Sequence, residues 1–188
     1  MNVSIALLAV SAVWIASEVM LVLFRRSGTD SKKRDSGSII WLNAVIYGSV
    51  AVAISVSLSG VGLVPSVGLT LSRIGLVFIL MGLAIRWTAI FTLRQYFTVN
   101  VAIQPNHRIV RKGLYGLVRH PSYLGSIISF VGLGLALSNW IAIGFVAIPI
   151  TYAFVRRIGI EERALLQEFG PEYDHYCRTT WRLIPWLY

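Results

Sequence analysis

A single cysteine in 188 residues leaves no intramolecular disulfide and no thiolate cluster for a metal. Charge is scarce as well. Only 13% of the residues are charged, about half the share of an ordinary soluble domain. Acids are the scarcer sign, 8 against 17 Lys and Arg, which leaves a formal net charge of +9. His107, His120 and His175 lack the local spacing of a zinc site. There is no Walker-type phosphate loop, no HExxH, no GxSxG and no glycine-rich strand-to-helix turn. Gly132-Leu133-Gly134 lies inside an apolar run, where helix packing accounts for it. Internal repeats and low-complexity tracts are absent too. Polar chemistry is concentrated instead in one short stretch, His107 to Gly125, HRIVRKGLYGLVRHPSYLG. Two histidines, four cations and two tyrosines fall there, between long apolar segments.

The remainder is mostly apolar: 56% hydrophobic residues and a mean hydropathy of +0.70. That composition predicts an all-α integral membrane protein with about five transmembrane helices. The expected spans are Val3–Phe24, Ile39–Val64, Leu71–Leu93, Tyr123–Ser138 and Ile141–Val155. Arg25 and Arg26 follow the first apolar run rather than precede it, which favours a retained span over a cleaved signal. Glu18 lies near the inner end of that span, where it can reach water or a cation. Asn139 and Trp140 form a tight outer turn, and Pro149 is a candidate kink in the fifth span. From Arg156 the charge density rises, giving a cytoplasmic amphipathic helix. A tail follows that returns to the interface on Trp181, Trp186 and Tyr188.

The basic residues lie between apolar runs rather than on the face of a soluble fold, so the partner they suit is anionic lipid and not nucleic acid. With the N-terminus outside and the C-terminus cytoplasmic, every cation except Arg73 and Arg86 falls at or beyond the inner boundary. Residues 94–120 and 156–188 then share one side of the membrane and can build one site. Arg86 stands within an apolar run, where it either pairs internally or meets an anionic ligand. Pro121 suits the first turn of a helix, since its missing N–H costs nothing there. The fourth span would thus present its free amides to the cytoplasmic side, with Arg119 and His120 at its mouth. Glu161 and Glu162, one turn or more after Arg156 and Arg157, are either ligand contacts or helix-surface pairs.

In order, an F-T pair, H-x-I-V, G-x-Y and RHPSYLG precede a hydrophobic hairpin. Arg157, the Glu161-Glu162 pair, FGPEY and RLIP follow it. Over roughly residues 70–188 this order and spacing resembles the isoprenylcysteine carboxyl methyltransferase family, whose wider kin include phospholipid methyltransferases. The five-span layout is similar to the short prokaryotic members, so the resemblance implies a prokaryotic plasma membrane. It also divides one domain into a two-span part, 1–69, and a catalytic core, 70–188. The implied S-adenosylmethionine pocket uses His107, Arg108, Ile109 and Val110 along the cofactor, with Tyr115 of G-x-Y. His120, Pro121, Ser122 and Tyr123 complete one wall, and Glu161 with Glu162 supplies the acidic contact. A further contact upstream falls at Ala102 or Gln104. Arg157 matches an arginine associated with the methyl acceptor, the implied catalytic and substrate-binding residue. Arg86 is expected near the acceptor tunnel.

The chemistry suits these residue types. A glutamate accepts from the cofactor's ammonium or ribose diol, while cations and helix-start amides receive its carboxylate. Aromatic faces such as Tyr115 and Tyr123 shelter the adenine or favour the sulfonium. A carboxylate acceptor is already ionised at neutral pH, so Arg157 orients it and no base is required. An amine or hydroxyl acceptor needs a proton sink, with His120 or Glu162 the first candidates. The expected acceptor is lipidic, most like an S-isoprenylcysteine. An amino phospholipid, a phenolic lipid or a thiol remains open, as does a non-catalytic scaffold.

Overall fold

A computed structural model describes residues 3–24, 32–97 and 108–188. Six α-helices occur among them: α1 (Val3–Phe24), α2 (Lys32–Ser59), α3 (Gly68–Leu93), α4 (Pro121–Ala136), α5 (Trp140–Phe169) and α6 (Pro171–Thr179). Three helical segments, Gly37–Ser59, Pro65–Leu93 and Trp140–Phe169, are long and apolar enough to cross a membrane; Ile5–Leu21 and Pro121–Ala136 are shorter apolar helices. Large apolar side chains face outward along α1, α2, α3 and α5, among them Leu8, Tyr47, Leu58, Val77 and Ile148. Water would penalise such a surface, whereas hydrocarbon does not. The protein is therefore a multi-pass membrane protein.

The tightest crossing joins α3 to α4, and small residues make it possible. A Cβ added at Gly82 would lie 2.4 Å from the Gly125 carbonyl oxygen, and one at Gly125 would lie 2.5 Å from that of Gly82. Gly75 and Gly132 repeat this reciprocal contact two turns away, at 2.5 and 2.7 Å. Backbone thus meets backbone along a small-residue seam, the close approach that drives association where no water is available to be expelled. Ser129, fully buried, donates to the Ile79 carbonyl across the same seam at 3.3 Å.

The α4–α5 hairpin is locked at its turn. Asn139 Oδ1 accepts from the amides of Ile141 and Ala142, capping α5, and Nδ2 donates to the Val61 carbonyl at 2.7 Å. The α5 face then packs on α2 through Leu42, Ala53, Val146, Ile150, Ala153 and Phe154. α1 is held by Trp14, whose ring meets Phe130 of α4 at 4.8 Å.

Three expected boundaries move. α2 starts at Lys32 and ends at Ser59, so the polar run before Ile39 is helix, and Gly60, at φ 78°, ends the helix before Val64. The fourth helix starts at Pro121, where the proline signal puts it, and ends at Ala136, two residues before the expected end. The fifth span and the cytoplasmic helix are one continuous element of 30 residues, about 45 Å long at 1.5 Å per residue. Strong helix formers fill 161–168, and the single Gly159 does not interrupt the helix before Gly170-Pro171 ends it. Since about 30 Å suffices for hydrocarbon, the charged end of α5 projects beyond it. That continuity fixes Glu161 and Glu162 rigidly relative to the span.

Candidate active site

The segment before α4 is organised by the chain's end. Gly113–Gly116 makes a 3-10 turn, and Leu117 to His120 then pair with Trp181 and Arg182. Arg119 N–H donates to the Trp181 carbonyl at 2.8 Å and His120 N–H to that of Arg182 at 3.2 Å. Trp181 N–H returns a bond to Leu117 at 3.0 Å. α6 packs against this segment. Tyr176 is buried, and its phenol donates to the Tyr115 carbonyl at 2.7 Å. Burial above all pushes the Tyr176 phenol up to about 12, so it stays a donor at any ordinary pH.

His120 precedes the first turn of α4 and Pro121 opens it, both buried. One turn on, the Tyr123 ring stacks on the His120 imidazole, centroids 5.7 Å apart and planes 13° from parallel. It also leans on Phe154 of α5 at 5.3 Å. Its hydroxyl donates to Glu161 Oε2 at 2.8 Å, and the charge of Arg157 acts on the same phenol. Arg157 is 2% exposed and donates to the Ser38 hydroxyl of α2. Tyr115, buried on the adjoining wall, has its phenol pushed up by burial first and by the charge of Glu161 next. A tyrosine pair, a half-buried carboxylate and a buried guanidinium therefore converge where α4 begins.

Glu162 points elsewhere. Successive helical residues diverge by about 100°, and its carboxylate turns towards the C-terminal segment. Arg119 Nε donates to Oε1 at 2.9 Å, and His120 Nε2 lies 3.3 Å from that oxygen. Arg182 Nε contacts Oε2 at 2.8 Å as an ion pair. The Arg119 guanidinium also donates to the carbonyls of Cys177 and Thr180. Both oxygens of Glu162 are thus committed to the protein's own basic groups. Cys177 lies beside this cluster, its thiol pushed up by burial and so uncharged at neutral pH.

Ile109 and Val110 are half-buried ahead of the 3-10 turn, Arg108 is exposed, and His107 lies outside the described residues. Ala102 and Gln104 lie outside them too. Arg86 engages Glu18 of α1 through both Nε and Nη2, at 2.6 and 2.7 Å. Its Nη1 donates to Ser122 Oγ and Ser126 Oγ at 3.0 and 2.9 Å. Of the two sequence alternatives for Arg86, internal pairing is present; Ser122 is drawn towards Arg86 on the first turn of α4. Sequence reasoning missed the contribution of α2. Ser38 falls in a polar run read as loop, and Trp41 in an apolar one, with no spacing linking either to α5.

Comparison with known proteins follows the same lines. The family model described as "Isoprenylcysteine carboxyl methyltransferase (ICMT) family" matches residues 74–167, half of the chain. Protein-S-isoprenylcysteine O-methyltransferase B of Arabidopsis thaliana is 34% identical over 119 residues, covering 62% of this chain and 60% of its own. The chain thus spans about three-fifths of that curated relative's length. Methanethiol S-methyltransferase 1 of Bradyrhizobium diazoefficiens is 41% identical over 73 residues, covering 39% of this chain and 25% of its own. A solved structure, the eukaryotic intramembrane Ras methyltransferase ICMT, superposes with a TM-score of 0.59 at 34% identity. That match covers 62% of this chain and 43% of the other.

Proposed function

The chain belongs to the isoprenylcysteine carboxyl methyltransferase family, and from that premise we propose that it methylates a lipidic acceptor using S-adenosylmethionine. The observation that carries this reading is the convergence of Tyr123, Glu161 and Arg157 at the start of α4, inside the matched segment. The residues fit the cofactor's parts. Glu161 offers a half-buried carboxylate, already oriented by Tyr123, to an ammonium or a ribose diol. Tyr115 and Tyr123 offer aromatic faces, and the start of α4 offers free amides. When bound, S-adenosylmethionine supplies an electrophilic methyl group on a sulfonium.

What the chain contributes is alignment. Arg157, held by Ser38 on one side and near Tyr123 on the other, is positioned to turn an acceptor carboxylate towards the pocket. A carboxylate needs no base, which suits a site whose nearest imidazole, His120, already faces Glu162. We place the N-terminus outside and the charged end of α5 in the cytoplasm, with α1 and α4 completing five crossings. Glu162 serves in this reading as a structural anchor for the pocket wall, and Arg86 as a clamp on α4.

The name of the bacterial relative favours a second acceptor class, a small thiol, on the same scaffold. Labelled methyl transfer from S-adenosylmethionine, assayed in membranes containing the protein, separates the two. A carboxyl acceptor gives an organic-extractable product that releases labelled methanol in alkali. A thiol acceptor gives an alkali-stable thioether, and no transfer to any acceptor tested would contradict the enzymatic reading.

A further inference from the structure

The turn at 184–187 sets a tryptophan where turn chemistry asks for glycine. Leu187 N–H donates to the Ile184 carbonyl at 3.1 Å, with Pro185 in the second position and Trp186 in the third, at φ 64°. That is the arrangement of a type II turn, whose third position favours Gly or Asn. A bulky side chain with positive φ is strained. The turn is nonetheless firmly held. Leu183 and Ile184 N–H both donate to the backbone oxygen of Tyr188, at 2.8 and 2.9 Å, and Tyr188 N–H returns to Ile184 at 3.0 Å.

What the strained turn achieves is display. Trp186 is 83% exposed and Leu187 77%. Ile184, Trp181 and Leu117, which pairs with Trp181, are exposed as well. Behind this apolar tip Leu183 is buried and Arg182 reaches inward, its guanidinium on Glu162, on the Tyr188 hydroxyl and over the Tyr188 ring. In water both the strain and the exposed apolar surface are costs. A bilayer interface, where tryptophan is favoured, offsets them.

The depth of the turn points to that partner. α4 has 16 residues. As a crossing helix it is about 24 Å long at 1.5 Å per residue, short of the roughly 30 Å of hydrocarbon. Residues 117–120, just ahead of Pro121, therefore lie at the edge of the hydrocarbon, and the ladder brings Trp181 and Arg182 to the same level.

We propose that the 184–187 turn is an interfacial anchor. Trp186 and Leu187 enter the boundary between headgroups and acyl chains, and this lipid contact holds 181–188 against the segment ahead of α4. The ladder passes the contact on to Arg119 and to His120, on which Tyr123 stacks. The anchor itself is independent of the methyltransferase reading; its effect on cofactor binding rests on it.

The test uses the purified protein in phosphatidylcholine nanodiscs, labelled with fluorotryptophan. The Trp186 fluorine resonance is identified by its loss in Trp186→Phe. It should broaden about threefold more with a lipid carrying a nitroxide near its headgroup than with a soluble nickel chelate. Trp186→Asn suits the positive φ better than tryptophan, so turn chemistry alone predicts a tail held at least as firmly. The anchor predicts the reverse: protease cleavage after Arg182 about fivefold faster in Trp186→Asn, and near the wild-type rate in Trp186→Phe, which keeps an apolar ring. S-adenosylhomocysteine affinity should fall about threefold in Trp186→Asn and hold in Trp186→Phe. Stronger broadening by the nickel chelate, or cleavage of Trp186→Asn no faster than wild type, would overturn the proposal. A released tail with unchanged S-adenosylhomocysteine affinity would overturn its coupling to the site. Lipid-broadened Trp186 in a wild type that binds no S-adenosylhomocysteine would support the anchor and sink the methyltransferase reading alone.

Discussion

Glu162→Ala should detach the C-terminal segment from the mouth of α4 and cost about 3–5 kcal/mol of stability, the usual range for removing one partner of a buried ion pair. The side chains of Glu162, Arg119 and His120 are respectively 10%, 8% and 5% exposed. Without the carboxylate, Arg119 keeps only its carbonyl acceptors, and Arg182 loses its link to α5. The effect should appear in two readouts: a lower melting temperature, and faster protease cleavage after Arg178 or Arg182. Glu162→Gln preserves the shape and should fall between. The control is Arg178→Ala, which removes an exposed pair to Asp174 four residues earlier and should change stability by less than about 0.5 kcal/mol. Equal melting of Glu162→Ala and Arg178→Ala would show that the cluster does not hold the tail.

The second large effect belongs to Arg86. Arg86→Ala leaves Glu18 without its fork inside the apolar part of α1 and frees Ser122 and Ser126 on α4. An unpaired carboxylate there costs roughly 2.5–3.5 kcal/mol on insertion scales, discounted because the Glu18 side chain is 37% exposed. A loss of about 2–3 kcal/mol is expected, together with weaker cofactor binding, because Ser122 adjoins Tyr123. Arg86→Met combined with Glu18→Leu should recover most of the stability, since an apolar pair of similar volume leaves no charge stranded. It should not recover cofactor affinity, because Ser122 and Ser126 still lack their donor. Additive losses in the double variant, read by thermal melting, would rule out the pairing as the source.

How much of this was legible in the sequence depended on range. Hydropathy located the apolar helices, and the Pro121 signal placed the start of α4, because both are properties of neighbouring residues. The continuity of α5 was obscured by the change of composition at Arg156, which marks the edge of the hydrocarbon and not the end of a helix. As adjacent letters, Glu161 and Glu162 look equivalent. The helix separates them by about 100°, sending one to Tyr123 and the other to Arg119 and Arg182. Glu18 and Arg86 each stood out as charges in apolar runs, but their partnership spans 68 positions and depends on how α1 docks on α3. Ser38 and Trp41 carried no signal, since a serine in a polar run and a tryptophan in a span are ordinary there.

The central proposal is that Tyr115, Tyr123 and Glu161 together hold S-adenosylmethionine. Calorimetry with S-adenosylhomocysteine on the purified protein tests it most directly, with Glu161→Gln and Tyr123→Phe alongside. The account predicts saturable one-site binding to wild type, weakened at least tenfold by Glu161→Gln and more mildly by Tyr123→Phe, which keeps the ring on His120 but loses the hydroxyl that orients Glu161. No binding to folded wild type, or binding that ignores Glu161→Gln, would contradict it.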